Sequence, residues 1–393
     1  MSVPKITRDV FIPSRDGRGV GGLIPFYTGD NRIAIRYAWI ANDDNIDSWS
    51  EIISLDHGAT WGEPRPLSEY GAETVDRGKI KTGLFGCFYD SLRRGFLVMA
   101  NREFFPGDGE GHFDFATSDR RTARIFEYDA DSLERRSSVD AGFGLRGVFF
   151  SFCFPIRLST GRLLAPAAVP HWDGGKLVYH PGCWAPKHRS FTVIGECGAR
   201  GDIHWRAGRP VELDERSTRG FCESTVAELS DGRVAMILRG SNEAVWERQH
   251  GYKWAAFSND GGENWTKPRP MEYDDGTLAE SGASGGALFR SVKDGELYWI
   301  GNLCPEGAHA RGNNPRSPLH LVQVDEKTFR FRKNARTVID ERGPHEDPAL
   351  QFSNFSYYQE RPSGDIMLFL TRYGERGQER WMDADCVRYC IVL

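Results

Sequence analysis

The chain is expected to be all-β, a six-bladed β-propeller of four-stranded antiparallel blades forming a single domain over residues 1–393, and three observations lead to that expectation. A strand–turn–strand signal with glycine in the turn recurs six times. An eight-residue turn motif occurs twice at a fixed phase to that signal, and the composition, with Gly 44 and aromatics at 12 %, suits short strands joined by turns. Six units of roughly 65 residues, each able to supply one small sheet, are the repeat pattern of a propeller.

The hairpins fall at Leu23–Ile40 (turn at Gly29), Gly86–Ala100 (Gly95), Val148–Ala168 (Gly161), Ser224–Arg239 (Gly232), Gly286–Gly301 (Gly295) and Phe355–Thr371 (Gly364). Successive turn glycines are separated by 66, 66, 71, 63 and 69 residues. Segments such as Val234 to Leu238 and Leu297 to Ile300 are continuously apolar, as strands covered on both faces must be. Ser54-Leu55-Asp56-His57-Gly58-Ala59-Thr60-Trp61 and Ser258-Asn259-Asp260-Gly261-Gly262-Glu263-Asn264-Trp265 share Ser, Asp, Gly and Trp at matching positions. In a tight turn the Asp carboxylate accepts backbone N–H groups, Gly supplies an unusual φ, and Trp anchors the turn by packing. Asp56 follows Gly29 by 27 residues and Asp260 follows Gly232 by 28, with degenerate copies expected at Ser118-Asp119 and at Val324 to Phe329. Closing the ring protects strand edges, so the last strand, Cys386 to Val392, is expected to pair near Val10 to Ile12. Long polar connections at 101–114, 170–187, 240–253, 302–318 and 340–354 are expected to gather over one end of the ring's axis and build a pocket.

Composition excludes some classes of function. A net charge of −5 with both signs interspersed and no basic block argues against a nucleic-acid partner. Eight cysteines without a C-x-x-C pair give no metal or redox motif and are expected to be mostly buried thiols, so neither a metal nor a cofactor is expected. The N-terminus has no apolar signal segment and no stretch of about 18 apolar residues could span a bilayer, so the chain as written reads as cytoplasmic, without a membrane partner. No part of the pattern addresses oligomeric state.

The paired turn motif is the Asp-box, or BNR repeat, and the chain resembles the sialidase (neuraminidase) superfamily of β-propellers. In that superfamily the Asp-box turns lie on the outer rim, so the motif speaks for architecture. The stretch Phe221 to Arg239 is similar to the sialidase segment in which a Glu opens one strand and an Arg closes the next. The resemblance implies that Glu223 activates a nucleophile or acts as acid/base, and that Arg239 clamps a substrate carboxylate or hydroxyl. Antiparallel pairing would bring the two to one end of the blade; the structural alternative is an ion pair that closes it. Two positions depart from the family. Leu23-Ile24-Pro25 stands where the first clamp arginine is expected, and Phe355 where the nucleophilic tyrosine is expected. Tyr357 or Tyr358 could replace that nucleophile, but strand alternation lets only one of them face the axis. The family's general acid corresponds to Asp44 or Asp47, with Asp47 preferred.

Histidines supply a second chemistry. His171, with Tyr179 and His180, forms one loop pair, and His112 stands at the corresponding place a blade earlier. Imidazole beside a phenol is suited to proton transfer. This is similar to polysaccharide lyases on propeller folds, which take the C5 proton of a uronate while an arginine neutralises its carboxylate; Arg239, Arg219 or Arg316 are the candidates here. Asn354 and Arg372 in the last blade are further binding candidates. Trp246, with Trp172, Trp184 and Trp254, suits stacking on a sugar face. The expected function is therefore a carbohydrate-active enzyme, an exo-glycosidase hydrolysing a bond to an anionic or deoxy sugar in an oligosaccharide or glycoside. The alternatives are a polysaccharide lyase and a non-catalytic glycan-binding propeller.

Overall fold

In the computed structural model, residues 3–40, 42, 45–46, 48–198 and 201–393 are described, and Asp44 and Asp47 lie outside them. Among the described residues there are six larger sheets, all antiparallel, in chain order. Five are four-stranded, and the sheet of the second blade has five strands because a hairpin of unusual length, Gly78–Asp90 against Gly95–Pro106, recruits Ala72–Val75 as an extra edge. This succession of up-and-down sheets is the topology of a six-bladed β-propeller, as expected from the six hairpins.

The chain divides into two compact units, one of Met1–Val139, Val292–Asp294 and Arg342–Leu393, the other of Asp140–Ser291 and Gly295–Glu341. The first unit contains blades 1, 2 and 6. Blade 6 is completed by the N-terminal strand Lys5–Ile12, which pairs with Cys386–Val392, Val10 opposite Val387 and Ile12 opposite Cys386. Its apolar clusters lie between neighbouring sheets: Phe26, Trp49, Phe96 and Tyr128 bind blades 1 and 2, while Tyr27, Tyr37, Tyr358 and Phe369 bind blades 1 and 6.

The second unit contains blades 3, 4 and 5, and its clusters follow the same rule. Phe221, Met236, Leu238 and Trp254 meet Leu164 and Ile194 of blade 3 on one side of blade 4, and Ile237 and Ala255 meet Trp299 and Val322 of blade 5 on the other. The strands of blade 4 therefore bury both faces, which is why Val234 to Leu238 contains no polar residue. Each fully buried large side chain contributes roughly 1.5–3 kcal/mol.

Both Asp-box turns adopt one geometry. Ser54 Oγ accepts from Gly58 N at 2.7 Å and Asp56 Oδ1 from Thr60 N at 2.8 Å; in the second copy Ser258 Oγ accepts from Gly262 N at 2.8 Å and Asp260 Oδ1 from Asn264 N at 2.9 Å. Gly58 and Gly262 have φ of +95° and +91°, the conformation that calls for glycine. Hydrogen bonds, first from the Thr60 side chain and amide, hold Asp56 at a pKa of about 2. For Asp260 burial alone would raise the value, and the bonds from Asn264, Ser258 and Glu263 outweigh it to give about 2.

Two expectations about turns and thiols are corrected. Ser118 and Asp119 lie in a 3-10 helix, Phe115–Arg120, ahead of the third strand of blade 2; the Asp-box position there is taken by Asp129, whose Oδ1 accepts from Asp131 N and Ser132 N, both at 2.8 Å. The degenerate copy in blade 5 is in place, with Asp325 Oδ1 accepting from Thr328 N at 2.9 Å. Cysteine burial is mixed: Cys153, Cys304 and Cys386 are buried, Cys197 is exposed, and the other four are intermediate. None of the eight is in a disulfide. No helix among the described residues is long and apolar enough to cross a membrane.

Candidate functional site

The second unit gathers the charged candidates around the first hairpin of blade 4, Cys222–Glu228 against Val234–Arg239. Cys222 is opposite Arg239 and Thr225 opposite Ile237, so Glu223 and Ser224 together face one residue, and the strand bulges. Glu223 adopts φ of +46°, a left-handed conformation that costs a residue with a Cβ roughly 1–3 kcal/mol and persists only where surrounding structure dictates it. The preceding loop supplies that constraint. Phe221 N donates to His188 O at 2.7 Å, Ser217 Oγ donates to Gly220 O at 2.6 Å, and Thr218 N donates to Ser241 O at 2.9 Å.

The bulge turns the Glu223 carboxylate onto Arg239, and the two side chains form an ion pair with only 15 % and 12 % of their surface exposed. Arg219 joins them through Asn313, whose Oδ1 accepts from Arg219 Nη2 at 2.6 Å and from Arg239 Nη2 at 3.2 Å. Arg219 Nε also pairs with Glu243 Oε2 at 3.1 Å. Burial, then the neighbouring Arg239, lowers the pKa of Arg219 from its ordinary value, with Glu243 opposing.

Lys253, which opens the third strand of blade 4 directly opposite Arg239, was not anticipated as a site residue. It is fully buried, and its ammonium donates to Ser284 O, to Ser284 Oγ at 3.3 Å and to Gly282 O at 3.4 Å. Burial first, then Arg239, brings its pKa down to about 7, with Glu223 resisting and Arg316 adding to the fall. Its signal in the sequence is a lysine heading the otherwise apolar run Trp254-Ala255-Ala256-Phe257, one position across from the arginine already under suspicion. Glu223, Arg239, Lys253, Ser284 and Trp299 line a narrow surface crevice.

Two exposed tryptophans each lie against an arginine, one of them Arg219 of this cluster. Trp184 is 60 % exposed with the Arg219 guanidinium 5.2 Å from its ring centre, and Trp246 is 40 % exposed with Arg311 at 4.6 Å. Trp172 is partly buried under Arg146 at 4.0 Å. Trp254 is corrected from the sugar-stacking set: it is buried against Phe221 in the core. Arg316 donates from Nη2 to Ala283 O at 3.3 Å.

His171, Tyr179 and His180 lie on the connection after the second strand of blade 3. Val178 N donates to His171 O at 3.0 Å, which sets Tyr179 one residue beyond the pairing. Burial, then Arg189 and Lys187, lowers the pKa of His171, favouring neutral imidazole. Tyr179 is exposed, and His180 Nδ1 donates to Pro181 O at 2.9 Å.

The remaining candidates belong to the first unit. Tyr357 is partly buried and its phenol pKa is raised by burial. Tyr358 points to the opposite face, donates to His57 O at 3.2 Å and stacks on Phe369, so alternation leaves Tyr357 sharing a face with the buried Phe355. Arg372 is buried over Phe352 and ion-paired with Glu346 and with Glu375 at 3.4 Å. Asn354 and His112 are exposed, and Leu23 is partly buried beside the bulge of the first strand of blade 1.

Six successive antiparallel sheets carrying two Asp-box turns of one geometry define the class as a BNR-type β-propeller. Residues 131–358 match the BNR repeat-like domain, and the chain belongs to that family. Among solved structures it is similar to a protein of unknown function from Dyadobacter fermentans, with 12 % identity, a TM-score of 0.68 and all of both chains covered. It is also similar to Trypanosoma rangeli sialidase, with 12 % identity and a TM-score of 0.61 over 99 % of this chain and 60 % of that one. A Hadza microbial sialidase gives 11 % identity and a TM-score of 0.60 over 95 % and 65 %. The chain thus spans less than two thirds of the length of these two sialidases. These likenesses concern the fold. No curated protein sequence matches the chain.

Proposed function

We propose that the protein is a glycoside hydrolase acting on an exposed terminal sugar that is anionic or deoxygenated and differs from ordinary sialic acid. The observation that carries this reading is Glu223, held at φ of +46° in a bulge and paired there with Arg239. Trypanosoma rangeli sialidase has been solved with sialic acid bound, which supports a sugar as the ligand class. Leu23 and Phe355, in place of the arginine and tyrosine that the resemblance leads one to expect, argue against sialic acid itself.

In this reading Glu223 serves as acid/base or activates a nucleophile, and the family resemblance alone suggests Tyr357 as the phenol and Asp47 as the general acid. Arg239 and Arg219, spaced by their common acceptor Asn313, bind the anionic or hydroxyl group. Arg316, Arg372, Asn354, His112, His180 and Trp246 are proposed as further binding residues. Substrate binding would draw Arg239 partly away from Glu223 and leave the carboxylate free to exchange a proton.

The neutral tendency of His171, next to Tyr179 on one loop, favours a second reading as a polysaccharide lyase, with His171 or Tyr179 removing the C5 proton of a uronate. A panel of acidic oligosaccharides separates the readings. Hydrolysis yields reducing ends without new ultraviolet absorbance, whereas β-elimination yields an absorbing unsaturated sugar. Binding without either product would identify a glycan-binding propeller and refute both enzymatic readings.

A further inference from the structure

We propose that His250, Glu280 and His309 form a binding site for a divalent transition metal, Zn²⁺ in the first instance, that ties together the loops beside the Glu223–Arg239 pair. His250 comes from the loop between Val234–Arg239 and Lys253–Ser258, Glu280 from the segment ahead of Gly286–Arg290, and His309 from the loop between Leu297–Asn302 and Leu319–Asp325. His250 Nδ1 is 3.0 Å from Glu280 Oε1, His309 Nδ1 is 3.3 Å from the same oxygen and 3.0 Å from Oε2, and one donor atom from each residue lies within 4.8 Å of the others. Two imidazoles and one carboxylate are the donor set that Zn²⁺ accepts, leaving a fourth position for water. Around a tetrahedral ion at about 2.0–2.1 Å the donors would stand roughly 3.4 Å apart, so the His–Glu contacts already have the needed spacing. Only the imidazoles must approach each other, and both histidines are about half exposed and able to turn.

The backbone beneath these side chains is already fixed. Ser281 N donates to Gly251 O at 2.9 Å and Cys304 N donates to Glu280 O at 2.9 Å, which lace the three segments together next to the proposed ligands. His309 is also linked to the charged cluster. Asn242 Nδ2 donates to Ala310 O at 2.8 Å, Gly312 N donates to Asn242 Oδ1 at 3.0 Å, and Asn313 follows as the acceptor shared by Arg219 and Arg239. A metal on His309 would stiffen the loop that positions that acceptor. Binding takes the neutral imidazole tautomer, so Nδ1 exchanges its hydrogen bond to Glu280 for the metal while Nε2 carries the proton.

The test uses the whole protein, stripped with chelator and titrated calorimetrically with zinc chloride alone. The expected result is one equivalent bound, with a higher melting temperature for the zinc form. His250→Ala and His309→Ala should each weaken binding at least about tenfold and abolish the thermal shift, as loss of a ligand does. His204→Ala, which removes an exposed histidine paired with Asp202 away from the cluster, should leave both readouts unchanged. Absence of binding by the wild type, or undiminished binding by the His250→Ala/His309→Ala double variant, overturns the proposal. None of these readouts depends on a sugar substrate, so the metal site stands or falls separately from the proposed hydrolase activity.

Discussion

Replacing Lys253 by methionine should flatten part of the pH dependence of stability. In the folded protein its pKa is about 7 against an ordinary 10.5, because burial and the Arg239 and Arg316 guanidinium groups disfavour the cation more than Glu223 favours it. Across that gap, at about 1.4 kcal/mol per pH unit, the folded state is penalised by roughly 5 kcal/mol when the lysine is charged. The unfolded chain binds this proton more tightly than the folded one, so Lys253 makes stability rise with pH from about 7 to about 10.5, and contributes no pH dependence below 7, where both states hold the proton. Between pH 7 and 9 the contribution amounts to about 2 kcal/mol. Other groups titrate in this range, notably thiols and phenols whose pKa values burial raises, so the diagnostic quantity is the difference between wild type and Lys253→Met at each pH. Urea unfolding followed by tryptophan fluorescence at pH 7, 8 and 9 measures it. Methionine matches the apolar stem and removes the ammonium, leaving Ser284 O without that donor; this offset is independent of pH and cancels in the slope. Parallel stability profiles for the two proteins would refute the reasoning, since they would mean that Lys253 keeps its proton equally well folded and unfolded.

Glu223→Gln should lower turnover of an acidic oligosaccharide by about 10²–10⁴ while leaving its dissociation constant within about threefold; equal loss of both would make the residue a binding group only. Asp56 and Asp260, both held at a pKa of about 2, add stability that is fully present above about pH 4 and is lost on acidification toward pH 2, so Asp56→Asn/Asp260→Asn should show a shallower acid transition by circular dichroism. Gly58→Ala should destabilise by more than about 1 kcal/mol, because φ is +95° and a Cβ would meet Tyr358 Oη at 2.4 Å. Gly29→Ala, with its nearest neighbour at 3.5 Å, should be neutral within about 0.5 kcal/mol by the same denaturant assay.

The architecture was legible because its determinants are local. A turn glycine needs no distant partner: Gly161, Gly232, Gly295 and Gly364 all have positive φ. Gly29 and Gly95 carry the same signal without that conformation, and at the second hairpin Arg94 takes the left-handed position with φ of +46°. Ser118-Asp119 misled because a Ser-Asp pair also suits a 3-10 turn, and only strand pairing shows that Asp129 occupies the box. In the site, Glu223 and Arg239 could be read from adjacent strands of one hairpin, and Lys253 from the strand after it, since register is a local matter. Asn313 could not, because it reaches Arg219 across 94 residues of sequence from a loop with no periodic pattern. The cluster of His250, Glu280 and His309 was hidden for the same reason: its members come from three connections and lack metal-binding spacing.

The charges clustered around the first hairpin of blade 4 bear on what the site would bind. Arg219, Arg239, Arg316 and Lys253 face two carboxylates, Glu223 and Glu243, and the depressed pKa of Lys253 removes about half of its charge near neutrality. Burial first, and then Arg239, lowers the pKa of both Arg219 and Lys253, so an acidic group bound there would relieve repulsion among the cations. Arg219 and Arg239 share one neutral acceptor in Asn313, so an incoming anion can displace a single amide oxygen and engage both guanidinium groups. A ligand lacking an acidic group would have to leave these cations with the partners they already hold, gaining little from them. On its own electrostatics the arrangement thus favours a ligand that carries an acidic group.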